Sequence, residues 1–176
     1  YRTVELGLSV CFRENGPAPM FAERKRQTAT GAIGVIVFGS DQGLVGQFNE
    51  VVADYAVKTL VDLPAKPEVW AVGERVHTRL ADAGLPLMGL FAVPNSVNTI
   101  TPLVGQILIE SDMHYNLGGL TELHLFYNRP KSGSVYEAVS QQLLPLDENW
   151  QRQLAEIPWP TQSLPEIMSS GTVTLR

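Results

Sequence analysis

Cysteine is almost absent from this sequence, because Cys11 is the only one among its 176 residues. A single thiol excludes an intramolecular disulfide and any metal site built from several cysteines. This composition is typical of a protein from a reducing compartment.

Positive charge is also scarce. Lysine and arginine number 13 against 18 acidic residues, which leaves a net charge of -5. Apart from Arg24-Lys25-Arg26 the basic residues are scattered, whereas a nucleic-acid surface requires a clustered basic face. We therefore expect no nucleic-acid partner, and we interpret the short basic cluster as part of a solvated loop.

Long hydrophobic runs are missing as well. No segment approaches the ~18 consecutive apolar residues that a bilayer-crossing helix requires. The first residues lack the basic head and apolar middle of a signal peptide. The sequence predicts a single domain of ordinary size with no direct membrane insertion.

One short apolar run dominates what is present. Residues 33–38 read Ile-Gly-Val-Ile-Val-Phe and are followed by a polar turn containing Gly39, Gly43 and Gly46. A β-branched run of this kind predicts a strand that is buried on both faces and leads into a helix. We take it as the central strand of an α/β domain.

Alternating strands and helices follow this strand, and their spacing predicts parallel strands joined by right-handed crossovers. Two later runs alternate more regularly, which predicts an antiparallel hairpin and a mixed, mostly parallel sheet. The predicted strands are 68–72, 87–93, 120–127 and 135–144, and the predicted helices are 49–63, 74–83 (with Val76, Leu80 and Ala83 inward) and 101–116.

Both ends of the chain read as helical stumps. Val4, Leu8, Cys11 and Phe12 form an apolar stripe of helical period, but no capping residue or methionine precedes Tyr1. We expect a piece of a longer protein, with residues 1–15 ending an N-terminal helix, 14–30 a linker, 31–146 the α/β domain, and 147–176 an irregular segment. In that last segment a capping box at Ser163 and Glu166 announces a C-terminal helix.

The glycine-rich loop lies where phosphate-binding loops occur in α/β folds. Its glycines do not match G-x-G-x-x-G, no Lys-Ser/Thr pair follows, and Asp41 would repel a phosphate. We expect Asp41 to cap the turn or the coming helix and Asn49 to be that helix's N-cap. A nucleotide- or phosphate-binding α/β enzyme remains the alternative function.

No residue pattern indicates catalysis. His77, His114 and His124 are isolated on three predicted elements, and no G-x-S-x-G elbow surrounds Ser40. We therefore assign no catalytic, cofactor-binding or metal residues. Two further residues, Trp150 and Trp159, either pack locally or form part of a contact surface.

Two motifs carry a family resemblance. Residues 40–49, Ser-Asp-Gln-Gly-Leu-Val-Gly-Gln-Phe-Asn, resemble the S-D-R-G-L-C-G-G-x-N element of the gamma subunit of F-type ATP synthases. Residues 126–128 and 140–146 resemble that subunit's F-x-N and x-Q-L-L-P-L. The sequence departs from the first motif at Gln42, Val45 and Gln47, which stand where arginine, cysteine and glycine are usual. The motif residues that match are Asp41, Gly43, Leu44, Gly46 and Asn49.

The resemblance implies a Rossmann-like three-layer domain between two long helices that pair as a coiled coil inside the catalytic hexamer. It implies a rotor role, transmitting rotation between the membrane c-ring and the alpha/beta hexamer of a proton- or sodium-translocating complex. It further implies an epsilon partner, no cofactor, catalytic residues on the beta subunit, and a peripheral place on the cytoplasmic face of an energy-transducing membrane. With Cys11 as the only cysteine, a dithiol redox insertion is excluded. We expect Trp150 and Trp159 to face the ring or epsilon.

Overall fold

The computed structural model describes residues 2–15, 31–61, 63, 66–116, 119–132 and 135–161. Residues 28–145 form one compact unit, and residues 1–27 with 146–176 form another. The helices are α1 (Arg2–Asn15), α2 (Phe48–Val61), α3 (Glu74–Asp82), α4 (Ile100–Asn116) and α5 (Glu148–Ala155). The strands are β1 (Ala32–Phe38), β2 (Pro67–Val72), β3 (Leu87–Phe91), β4 (Leu120–Ser132) and β5 (Val135–Leu144).

The five strands form one sheet in the order β3-β2-β1-β4-β5. Strand β1 pairs in parallel with β2 on one side and β4 on the other, and β2 pairs in parallel with β3. Strands β4 and β5 form an antiparallel hairpin. The predicted mixed, mostly parallel sheet is confirmed. Strand β1 lies at its centre, and the five inner residues of this strand are buried.

Two hydrophobic cores, one on each face, show that the domain has three layers. On one face Val35 and Val37 of β1 pack with Val52 of α2 and Leu80 of α3. On the other face Ile36 packs with side chains that include Ile107 of α4. Each fully buried side chain of this size contributes about 1.5–3 kcal/mol relative to exposure. The α/β fold class predicted from the sequence is thus confirmed.

Helix α4 begins earlier than predicted. The expected start was the hydroxyl and proline at Thr101-Pro102, but a 3₁₀ turn at Val97–Thr99 comes first, with a capping box between Ser96 and Thr99. The Thr99 N–H donates to the Ser96 carbonyl oxygen at 3.1 Å, and the Ser96 N–H donates to the Thr99 hydroxyl at 3.3 Å, so the helical path is already set when Thr101 is reached. In α3 the predicted inward Ala83 is exposed, because the helix ends one residue before it.

The sequence predicted an irregular segment after the hairpin, but part of this segment is helical. Residues 148–155 form α5, whose N-terminus is capped by Asp147: its carboxylate accepts a hydrogen bond from the Asn149 N–H at 2.8 Å. The helix is short and prolines lie on both sides of it, so its helical period was not recognised in the sequence. The predicted linker (from residue 16 on), the basic cluster at residues 24–26 and the capping box at residues 163–166 lie outside the described residues.

Helices α1 and α5 pack within their own compact unit. Phe12 and Trp150 meet edge to face with ring centroids 6.2 Å apart. Arg13 donates hydrogen bonds to the carbonyl oxygens of Ala155 and Ile157, which lack helical partners at the end of α5. The predicted helix is present over residues 2–15, and of its stripe Cys11 and Phe12 are buried while Val4 is exposed.

Candidate functional site: the loop after the central strand

The loop of residues 39–47 leaves β1 where the strand order reverses. The chain passes from β1 through α2 to β2 on one side, whereas β4 lies on the other side. In open α/β sheets this switch point is where ligands usually bind, outside the carboxyl ends of the strands. The side chains that fill it therefore indicate what the domain is built to do.

Asp41 joins the ends of three neighbouring strands. Its Oδ1 accepts a hydrogen bond from the Glu74 N–H at 2.8 Å, and its Oδ2 accepts one from the Val93 N–H at 3.0 Å. The Ser40 carbonyl oxygen accepts the next amide of α3, that of Arg75, at 3.0 Å. The loop after β1 thus caps α3, which follows β2, and holds the segment after β3. Asp41 was predicted to cap its own turn or the coming helix α2, but the helix that it caps is α3.

Asn49 fastens the base of the same loop. The side chain is buried, its Oδ1 accepts from the Ser40 N–H at 2.8 Å, and its Nδ2 donates to the Ser40 hydroxyl at 2.9 Å. Asn49 lies inside α2, which begins at Phe48, so the predicted N-cap role is wrong. The amide bridges the two ends of the loop instead.

Two glycines allow these strand ends to approach closely. Gly73, which precedes α3, has φ of 111°, and a Cβ there would lie 2.8 Å from the backbone of Ser40. A Cβ at Gly39 would lie 2.4 Å from that of Val76. Residues with a side chain do not fit at either position. Gly73 was not predicted as a site residue, because its only signal in the sequence is a glycine between a strand and a helix.

The tip of the loop is exposed to solvent. Gly43, Leu44 and Gly46 all lie there, and Leu44 is fully exposed. Leu44 has φ of 63°, a left-handed conformation that costs a residue with a side chain about 1–2 kcal/mol. The motif therefore divides into a structural base, formed by Asp41 and Asn49, and a strained apolar tip.

The hairpin closes the other side of the switch point. Asn128 of β4 donates a hydrogen bond to the carbonyl oxygen of Phe48 at 2.7 Å. The Phe48 ring packs against that of Tyr136 on β5, with centroids 5.4 Å apart. The hairpin therefore packs against the first residue of α2, at the end of the helix where a phosphate would bind in a nucleotide-binding fold.

Surface ion pairs support the same elements. Glu50 of α2 and Arg79 of α3 form one at 2.5 Å, and hydrogen bonding to its own backbone, and then to Arg79, lowers the pKa of Glu50. In the hairpin, hydrogen bonds first from Lys131 and then from Arg129 lower the pKa of Glu137. Exposed pairs of this kind contribute little to stability, so we assign them a positional role.

The three histidines lie on three different elements, as predicted, and two of them contact glutamate side chains. His114 lies between Glu68 at 3.3 Å and Glu110 at 3.6 Å, and His124 contacts Glu122 at 2.8 Å. Among the described residues no group of three or more His, Cys, Asp or Glu side chains is arranged to hold a metal ion. In the same part of the chain no helix has both the length and the hydropathy needed to cross a membrane.

The two tryptophans lie in the unit formed by the chain ends. Trp150 contacts Phe12, and 37% of its surface remains exposed. Trp159 donates from Nε1 to the Thr161 hydroxyl at 3.0 Å and is partly exposed. Both retain accessible aromatic surface.

These features define a doubly wound α/β domain in which the described residues at the strand ends bind one another. Comparison with known proteins identifies its relatives. A family model described as ATP synthase matches residues 2–170. The chain therefore belongs to the ATP synthase family, in its gamma branch, and the resemblance of the sequence motifs is confirmed.

Two curated gamma chains illustrate the relationship. The chain is 30% identical over 138 residues to the ATP synthase gamma chain of Methylobacillus flagellatus, covering 74% of this chain and 45% of that one. It is 25% identical over 118 residues to that of Vesicomyosocius okutanii, covering 65% and 41%. The chain thus spans less than half the length of these relatives.

Solved structures share the fold at low sequence identity. The central stalk and c-ring structure of the Tetrahymena thermophila mitochondrial ATP synthase contains a chain with TM-score 0.56 and 19% identity, covering 92% of this chain and 76% of that one. The rotor of the Euglena gracilis mitochondrial ATP synthase gives a TM-score of 0.54 at 14% identity, covering 88% and 54%.

Proposed function

We propose that this chain is the globular part of the gamma subunit in the central stalk of a proton- or sodium-translocating F-type ATP synthase. It transmits rotation between the membrane c-ring and the alpha/beta hexamer, contacts epsilon, and is peripheral on the cytoplasmic face of an energy-transducing membrane. The observation that carries the proposal is the family match over residues 2–170, together with relatives that are gamma chains.

The geometry of the loop supports a mechanical role. A domain that transmits torque must deform little under load, and close-packed interiors have low compressibility. Here Asp41 joins three strand ends, and Asn128 joins the hairpin to α2. The edge of the sheet that usually opens for a ligand is cross-linked by hydrogen bonds.

The loop tip and the two tryptophans are the proposed contacts with other subunits. Leu44 presents a fully exposed apolar side chain in a conformation that costs free energy, which a folded domain has no internal reason to retain. Trp150 and Trp159 offer partly exposed aromatic surface, a common component of interface cores.

Assembly is tested by tagging the full-length gene product in its own organism and isolating it from detergent-solubilised membranes. We expect alpha, beta, epsilon and c subunits to co-purify with it. Recovery of the tagged protein free of all four would refute the proposed function.

The contact role of the tryptophans is tested separately in the assembled complex. Trp150→Ala with Trp159→Ala should lower ion pumping per ATP hydrolysed or weaken epsilon retention. The control is Val61→Ala, an exposed side chain on α2. Pumping and subunit content equal to those of the control would refute this assignment of the two tryptophans.

The alternative of a nucleotide-binding enzyme makes an opposite prediction. A ligand that binds only the folded state raises the melting temperature. Titration with ATP, ADP and NAD should leave it unchanged, because the hairpin packs against the first residue of α2 and Asp41 occupies the first amide of α3. A concentration-dependent rise would favour the enzyme.

A further inference from the structure

Helix α4 has a broad apolar face that points away from the sheet. Its inner side, with Ile107 and Ser111, is buried. A helix that is apolar on both sides is normally buried on both sides. The side chains of this outer face are each between 46% and 64% exposed: Ile100, Val104, Leu108, Ile109 and Met113.

The side chains of the outer face form ridges and grooves into which the side chains of a second helix can pack. Ile100, Val104 and Leu108 follow one another at intervals of four residues and form one ridge along the helix. Residue 105, Ile109 and Met113 form the next ridge at the same interval. Rows of this spacing interdigitate with the corresponding rows of a partner helix.

Gly105 lies in the middle of the outer face and has no role inside the domain. A Cβ built there meets no other atom within 4 Å, and its φ lies outside the left-handed region. Glycine in a helix interior is destabilising relative to alanine, so its usual justification is close approach of another backbone. No such backbone lies there in the described residues, so we take residue 105 as a position that a partner helix can approach closely.

The charge of α4 selects among possible occupants. Its acidic side chains are Glu110 and Asp112, and the helix contains no lysine or arginine. A second copy of this chain would bring like charges together, which disfavours self-association through this face. A partner with lysine or arginine beside its apolar stripe is complementary.

We propose that the outer face of α4 docks an amphipathic helix of a different polypeptide, whose apolar stripe is flanked by lysine or arginine and whose backbone approaches most closely at Gly105. The proposal rests on the exposed side chains, the open position at residue 105 and the acidic charge of α4. It is independent of the rotor assignment.

Two synthetic helical peptides test it against the purified chain by fluorescence anisotropy. They share a Leu/Ala stripe and differ only in having lysine or glutamate on its flanks. We expect the lysine peptide to bind at least about ten-fold more tightly than the glutamate peptide. Equal binding of the two peptides, or binding of neither, would overturn the proposal.

Gly105→Ala is the decisive variant. If the glycine is required by the fold, the substitution should lower the melting temperature; if it serves an interface, the substitution should raise the melting temperature and weaken peptide binding. We expect the melting temperature to rise while the dissociation constant of the lysine peptide increases about ten-fold. The matched control is Gly7→Ala in α1, another helical glycine whose Cβ would meet no atom within 4 Å. It should raise the melting temperature and leave peptide binding unchanged.

Leu108→Asp distinguishes the outer face from unspecific apolar binding. It should abolish binding of the lysine peptide, with circular dichroism confirming a folded chain. Peptide affinity unaffected by both Gly105→Ala and Leu108→Asp would overturn the proposal. So would sedimentation showing that the chain forms a dimer which Leu108→Asp dissociates, since the occupant would then be a second copy.

Discussion

Asp41→Ala tests whether the loop after β1 holds the strand ends together. The substitution removes two carboxylate acceptors, at 2.8 Å from the Glu74 N–H and at 3.0 Å from the Val93 N–H. The Glu74 amide is exposed, so water partly replaces its partner, at a cost of about 1 kcal/mol. The Val93 amide is partly buried, at a cost of about 1–2 kcal/mol. We expect the free energy of unfolding to fall by about 2–3 kcal/mol in total.

Asp41→Asn gives an intermediate case. One amide oxygen still accepts a hydrogen bond, but the NH₂ group replaces the second acceptor with a donor and the charge at the start of α3 is lost. We expect a cost of about 1.5 kcal/mol. The ordering of Ala, Asn and wild type therefore follows the number of acceptors.

Urea unfolding followed by far-UV circular dichroism measures these costs, with the midpoint shifting and the slope unchanged. Hydrogen exchange provides the local readout, because the Glu74 and Val93 amides should lose protection together in Asp41→Ala. The control, Asp54→Ala, removes an exposed aspartate of α2 and should change stability by less than about 0.5 kcal/mol. A cost for Asp41→Ala equal to that of the control would refute the reasoning.

Four further predictions concern the same region and the hairpin. Asn49→Ala should cost about 2 kcal/mol in urea unfolding, because a partly buried amide loses its acceptor. Gly73→Ala should cost more than about 3 kcal/mol or prevent folding, which expression and circular dichroism will show. Leu44→Gly should not reduce stability, since the left-handed strain is removed, yet it should weaken subunit assembly. The lowered pKa of Glu137 stabilises the fold at pH above the unfolded pKa, and this contribution is lost as the pH falls through the folded pKa. Lys131→Ala should raise the NMR titration midpoint of Glu137 toward the usual value of a glutamate, because the first hydrogen bond that lowers it is removed.

The sheet was predictable because its signals are local. Residues 33–38 are apolar, β-branched and followed by glycines, so a doubly buried strand is the structure that best satisfies them. The change from short apolar runs to the alternating segments near Leu123 and Val139 likewise predicted the hairpin. Apolar runs and strand period together predicted the order of strands and helices along the chain from residue 33 to residue 144, and the structure confirms this order.

The roles of the loop residues were less predictable because their partners are distant in sequence. Asp41 bonds to amides 33 and 52 residues away, and Asn128 bonds to a carbonyl 80 residues away. Local rules assign such side chains to the nearest turn or helix, which is why Asp41 was predicted to cap its own turn or the coming helix and not α3. The outer face of α4 was missed for a different reason. Apolar residues around a helix predict that it is buried, but they do not indicate whether the same domain or a partner buries it.

The loop geometry also explains how an α/β domain with a ligand-type topology can serve a mechanical role. The first amides of helices are the groups with which such folds bind anions. Here those of α3 are bonded to Ser40 and Asp41, and Asn128 and Tyr136 contact Phe48 at the start of α2. The first amides of α3, which could otherwise bind a ligand, therefore bind the protein itself. The fold keeps its close-packed sheet, and hydrogen bonds fix the ends of β1, β2 and β3 to one another.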